Sequence, residues 1–394
     1  MPSTLSRRAF LARTGFIGCS LAASPLITPV TFAATPWDAR LVVIILRGGM
    51  DGLDVVRPYG DPDLRTLRPG LSGGPDQGAH DLDGFYALHP HLGGLKLLWD
   101  EGDLGFVQAI STPYRVKRSH FDGQDLLEAG TVSMAGVRDG WLNRMLQVVP
   151  GVTAQTAYAI GRSDMRLLQG DADVANWSPE AELGLSPQAQ QLMDLVSESD
   201  PAIHAAWQEA QMLATLEDEE ATAQGQQRSG AHMRIAEFAA ARLRDEARIA
   251  AFSLNGWDTH RAQDRTLPRA MSQLSETLVT QREELGGQVW QKTAVVALTE
   301  FGRTARENGS GGTDHGTGGM MVMAGGAVQG GRVHGDWPGL GTGELYQNRD
   351  LMPTRDVRAH VAWIMRGLTG LDRATLEGSV FPGLEMGDNP QLLL

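Results

Sequence analysis

The sequence predicts an α/β protein with a mostly parallel central sheet flanked by helices. Three observations carry this expectation: short, wholly apolar runs recur along the chain, helically periodic segments separate them, and glycine-rich loops punctuate the joins. A run with no polar alternation can be buried on both faces only inside a sheet covered by helices.

The first 34 residues stand apart. They contain Ser6-Arg7-Arg8-Ala9-Phe10-Leu11, an apolar stretch from about Gly15 to Ile27, no acid, and a small-residue end at Thr31-Phe32-Ala33-Ala34. This pattern resembles a twin-arginine export signal. The expectation is therefore passage through the twin-arginine translocase, a periplasmic location, and one domain over 35–394. Cys19 is the sole cysteine and lies within that signal. A lipid anchor on Cys19 is the alternative, against which stand Phe16 and the apolar residues beyond the cysteine. Cleavage would leave no thiol for a disulfide or a metal. No later apolar run reaches the roughly 18 residues of a spanning helix, so the mature chain is not expected to be transmembrane.

The first strand is expected at 41–46, running into Gly48-Gly49. Others follow at 104–110, 157–160, 250–254, 293–298 and 320–323. Helices are expected at 204–216, 232–248, 268–284 and 357–368, with an exposed connection at 217–230. Composition narrows the class further. With 42% hydrophobic and 21% charged residues, the chain is not disordered. A net charge of −13 argues against nucleic acid as a partner. The 48 glycines have no triplet period, which excludes collagen and leaves tight loops.

In open parallel sheets, chemistry gathers at the carboxyl ends of the strands, and four clusters of donors fall at such places. Asp51, in Arg47-Gly48-Gly49-Met50-Asp51-Gly52, either ligates a hard cation or caps a glycine turn. Asp258 and His260 follow the run at 250–254 and form an ordinary ligand pair for zinc or manganese; alternatively Asp258 caps a helix and His260 is a bystander. Glu300 closes the run at 293–298, with Arg303 as either a fork for an anionic substrate or a partner for Glu300. Asp314 and His315 precede the run at 320–323. Together the four clusters point to a divalent metal. Ser119, in Arg118-Ser119-His120-Phe121-Asp122, is either a nucleophile at a helix N-terminus or that helix's cap.

These segments, in this order, resemble the bacterial family called domain of unknown function 1501, over nearly all of 41–383. Glu300-Phe301-Gly302-Arg303-Thr304 followed by Asp314-His315-Gly316 is the most specific part. That family is similar to the alkaline phosphatase superfamily, which includes sulfatases and cofactor-independent phosphoglycerate mutases. The resemblance implies an alkaline-phosphatase-like fold, with Asp51, Asp258, His260, Glu300, Asp314 and His315 as ligands of one or two zinc, manganese or calcium ions. It implies Ser119 as nucleophile. Phe301 stands where the superfamily has histidine, and Asp258 and His260 are more closely spaced than usual. A formylglycine sulfatase is excluded, since the mature chain lacks cysteine and Ser119 is not in that modification motif.

The resulting expectation is an exported, metal-dependent hydrolase acting on a small anionic phosphate or sulfate ester. Ser119 or a water would attack, and Arg303 or His120 would stabilise the transferred group. The alternative is a catalytically inert envelope binding or assembly protein. A carbohydrate-active enzyme ranks lower, because aromatic residues make up only 6% of the chain and form no binding strip.

Overall fold

Strand β1 (Arg40–Leu46) is buried along its whole length. Its side chains alternate between two cores: Leu41, Val43 and Ile45 pack on one face of the sheet, Val42, Ile44 and Leu46 on the other. Each such buried side chain contributes roughly 1.5–3 kcal/mol. A strand without polar alternation is thereby stable only at the centre of a layered fold.

The computed structural model describes residues 37–115, 118–161, 165–178, 207 and 230–394. The signal expected at 1–34 lies outside them, as do all but one residue each of the helix at 204–216 and the connection at 217–230. The other strands of this sheet are β2 (Leu104–Ser111), β3 (Ala157–Ile160), β4 (Ala175–Trp177), β5 (Ile249–Leu254), β6 (Thr293–Leu298), β7 (Gly319–Ala324), β8 (Val333–His334) and β9 (Arg355–Asp356). The sheet order is β8-β2-β7-β6-β1-β5-β3-β4, with β9 also pairing β2. Strands β6, β1, β5, β3 and β4 pair in parallel, and β7 runs antiparallel to both β6 and β2. The α/β, mostly parallel architecture is thus as expected.

Helices α1 (His120–Ala129), α2 (Trp141–Val148) and α5 (Val357–Thr369) contribute to the first core, and α3 (Ala231–Arg244) and α4 (Gln263–Trp290) to the second. Two of the boundaries that differ from the sequence expectation have a visible cause. Helix α4 begins upstream of Pro268 because the carbonyls of Ser310 and Gly311 accept from the Ala262 and Gln263 amides, serving the helix start from a distant loop. Helix α3 ends early, since the Arg248 amide donates to Thr156 O as the chain enters β5.

The reversal of β7 has a positional result. The chain leaves β1, β2, β5 and β6 at one rim of the sheet, and it enters β7 at that same rim. Loops carrying Asp51, Ser119, Asp258, Glu300 and His315 consequently meet there.

Candidate metal centre

Close approach of the loop backbones comes first. Gly48 follows β1 at φ 125°, and a Cβ there would collide with the backbone nitrogen of Asp258. The glycine therefore lets the β1 and β5 exits touch. Its amide donates to Glu300 Oε1 at 3.0 Å, tying in the exit of β6.

Among the described residues, one group of at least three metal-ligating side chains converges: His120, Asp258 and His315, with ligand atoms all within 4.8 Å of one another. His120 Nε2 lies 3.3 Å from Asp258 Oδ2, and His315 Nε2 lies 3.5 Å from Asp258 Oδ1. His260 stands beside them, its Nε2 3.0 Å from Asp258 Oδ1 and 2.9 Å from His315 Nε2. Four ligands at zinc–ligand distances and tetrahedral angles would be separated by about 3.3 Å, so the spacing suits one ion.

The other ring nitrogens fix the tautomers. His120 Nδ1 donates to Glu300 Oε1 at 2.7 Å, His315 Nδ1 donates to the Arg118 carbonyl at 2.7 Å, and His260 Nδ1 donates to Asp314 Oδ1 at 3.3 Å. An imidazole with its hydrogen on Nδ1 offers a bare lone pair at Nε2. Two such nitrogens 2.9 Å apart repel unless a proton or a cation lies between them. The Nε2 of His120 is buried and has no hydrogen-bond partner. An oxygen acceptor behind each imidazole is the support that metal-binding histidines usually have.

Charge follows the same plan. The hydrogen bond to Glu300 raises the His120 pKa, with burial opposing. Burial pushes His315 down, toward the neutral form that a ligand requires. Burial alone would raise the carboxyls of Glu300 and Asp258. Hydrogen bonds from His120 to Glu300, and from the Arg303 guanidinium to Asp258, hold both below the usual carboxylate range. Asp314, also opposed by burial, is lowered by hydrogen bonds from Asn308 and His260.

Several expected roles change places. Glu300, expected as a ligand, is fully buried behind His120; its Oε1 accepts from His120, Gln124 and Gly48, and its Oε2 accepts from Thr299. His120, expected to stabilise a transferred group, is the residue aimed into the cluster. Asp314 backs His260. Asp51 is buried elsewhere: its Oδ2 accepts from Arg68 Nη1 and Gln263 Nε2, both at 2.7 Å, and Gln263 also bridges to Asp54. Arg303 is no open fork for an anion. Its guanidinium is buried and donates to the carbonyls of Gly48, Gly49, Trp257 and Thr313 and to Asp258 Oδ1. It staples three loops and orients Asp258. Ser119 is the N-cap residue of α1, yet its hydroxyl makes no capping bond. Phe301 is buried, with its ring centroid 5.1 Å from that of His120 and 4.9 Å from that of His315, so it walls one side.

His120 had a usable signal, since it opens a helix just beyond β2, at the same rim as the other clusters. The supports Gln124 and Arg118 had none.

A family model described as "Protein of unknown function (DUF1501)" matches residues 110–362, a span that includes every residue of the cluster. No curated protein matches the chain. Among solved structures, a protein in the alkaline phosphatase superfamily from Vibrio parahaemolyticus is similar at 10% identity and a TM-score of 0.33, covering 76% of this chain. This chain spans 63% of that protein's length.

Proposed function

Because the chain belongs to the DUF1501 family of proteins of unknown function, we propose that it is an exported, metal-dependent hydrolase of small phosphate or sulfate esters, with one divalent ion held by His120, Asp258, His260 and His315. One observation carries the reading: three imidazoles give their Nδ1 hydrogens to oxygen acceptors and turn Nε2 toward a single carboxylate. Three nitrogens and a carboxylate suit zinc or manganese better than calcium, which prefers an all-oxygen shell. Phe301 occupies the space beside Glu300, which favours one ion over two.

A bound ion would polarise an ester oxygen as a Lewis acid. The chain's own residues divide the rest of the work. Arg303 holds Asp258 in place, Glu300 and Asp314 hold two imidazoles, and Phe301 keeps water from one side. Ser119, its hydroxyl uncommitted to capping, stands at the start of α1, where the helix field favours developing negative charge. It is the candidate nucleophile. Export of the folded protein through the twin-arginine route to the periplasm belongs to the same reading.

The test is elemental analysis of protein purified without chelators, followed by a screen of phosphate and sulfate esters. The expected result is a single zinc or manganese ion per chain, lost in Asp258→Ala and His315→Ala. Ser119→Ala should keep the ion and lose turnover. A wild-type protein that holds no metal and takes up neither added ion refutes the proposal.

The commitment of Arg303 to loop oxygens favours a second reading, a catalytically inert envelope binding or assembly protein. In that case no ester is turned over, and Ser119→Ala leaves partner binding intact.

A further inference from the structure

We propose that Asp350 is a positioning residue that sets the tautomer and aim of His315 without touching its ring. The proposal rests on reading His315 as part of the metal centre. Asp350 is completely buried. Its Oδ2 accepts from Arg118 Nη2 and Thr317 Oγ1, and its Oδ1 accepts from Arg349 Nη1, each at 2.8 Å. A buried carboxylate met by charged donors on both oxygens is a rigid anchor, because releasing either donor would leave charge unpaired.

Both arginines reach His315. The Arg118 carbonyl accepts the His315 Nδ1 hydrogen at 2.7 Å, while Arg349 Nη1 donates to the His315 carbonyl at 2.9 Å. Ring and backbone of one histidine are therefore held by two residues fastened to one carboxylate. Arg118 has φ 49°, a left-handed conformation that non-glycine residues adopt only when their surroundings enforce it. The Asp350 tether supplies that enforcement, and the conformation turns the carbonyl toward His315. Glu300 orients His120 directly; Asp350 does the same for His315 at one remove.

The experiment uses full-length protein with 15N-labelled histidines, read first without metal. The His315 ring signals, identified by their loss in His315→Ala, should show a protonated Nδ1 and a bare Nε2. In Asp350→Asn the two tautomers should mix, and zinc affinity should fall roughly 10–100-fold. The His120 signals should stay unchanged, as a general loosening of the fold would not allow. Arg118→Gly keeps the carbonyl, accepts the left-handed φ and cuts the tether, so it should behave like Asp350→Asn and serves in its place if that variant does not fold. A wild-type tautomer and wild-type affinity in both variants overturn the proposal. If the tautomer follows Asp350 but wild-type protein binds no zinc, the metal reading fails and the positioning role stands. If zinc binds and the tautomer ignores Asp350, the positioning role alone fails.

Discussion

Replacing Glu300 with glutamine changes almost no volume and removes one buried charge. Oε1 of Glu300 collects donors from His120, Gln124 and Gly48, so the amide oxygen of the variant can still occupy that position. The amide nitrogen then faces Thr299 Oγ1, which must turn to accept. What disappears is the charge assistance to His120. Hydrogen bonds to charged groups contribute about 1.5–3 kcal/mol and neutral ones about 0.5–1.5, so the variant should lose roughly 1–2 kcal/mol of support for the ring. At about 1.4 kcal/mol per tenfold, zinc affinity should weaken between several-fold and about thirty-fold. Calorimetric titration of zinc into metal-free wild type and variant reads this directly. The metal-free protein gives a second readout: His120 titrates above its ordinary value in the wild type and should move down in the variant. Equal affinity with an unmoved His120 titration, in a variant that melts cooperatively, would refute the assignment of Glu300 as the support of a metal-binding histidine.

Other outcomes are expected. Arg68→Met leaves the buried Asp51 without a charged donor, with Gln263 Nε2 and Thr313 Oγ1 remaining, and should destabilise the protein by about 3–5 kcal/mol in denaturant melts; an unchanged midpoint would refute the pairing. Gly48→Ala places a Cβ on the Asp258 backbone at a φ that alanine resists, so it should cost about 2 kcal/mol or more and weaken zinc binding together with stability. Acid should destabilise the fold through two histidines: burial lowers His360 from 6.5 to about 4 and His89 from 6.5 to about 3. Both folded-state values lie below the unfolded one, so their stabilisation is complete above pH 6.5 and is lost as pH falls from 6.5 to about 4 for His360 and on to about 3 for His89, with His360 accounting for roughly 3 kcal/mol. Denaturant midpoints that stay flat over that window would contradict this. Finally, replacing Arg7 and Arg8 together by lysine should leave the protein in the cytoplasm of a bacterial host; fractionation showing normal export would dismiss the twin-arginine reading.

The fold was legible where burial leaves a local mark. The run at 293–298 coincides with β6 and that at 157–160 with β3, because strands covered on both faces are apolar along most of their length. The true start of α4 was not legible, since the carbonyls serving it lie in a loop some fifty residues downstream. The same division holds in the site. The strand-end rule found His260, Asp258 and His315, but it could not separate a ligand from its support. Whether Glu300 or His120 faces the cluster depends on which imidazole nitrogen meets which oxygen, across a gap that only the folded sheet closes. Arg303 misled for a related reason: the four carbonyls that absorb its donors come from loops scattered along the chain.

The sharing of one rim by the exits of β2, β5 and β6 and the entry to β7 has a consequence for the order of events in the protein's life. Among the described residues, the donors that converge come from separate stretches of the chain. His120, Asp258 and His315 become neighbours only after four strands have found their places, and Glu300, Asp314 and the Arg118 carbonyl already aim the rings without any metal. If the centre takes up an ion, that ion would meet rings already aimed, and metal-free protein should fold before loading. The compartment in which folding ends would then decide which cation the centre first meets.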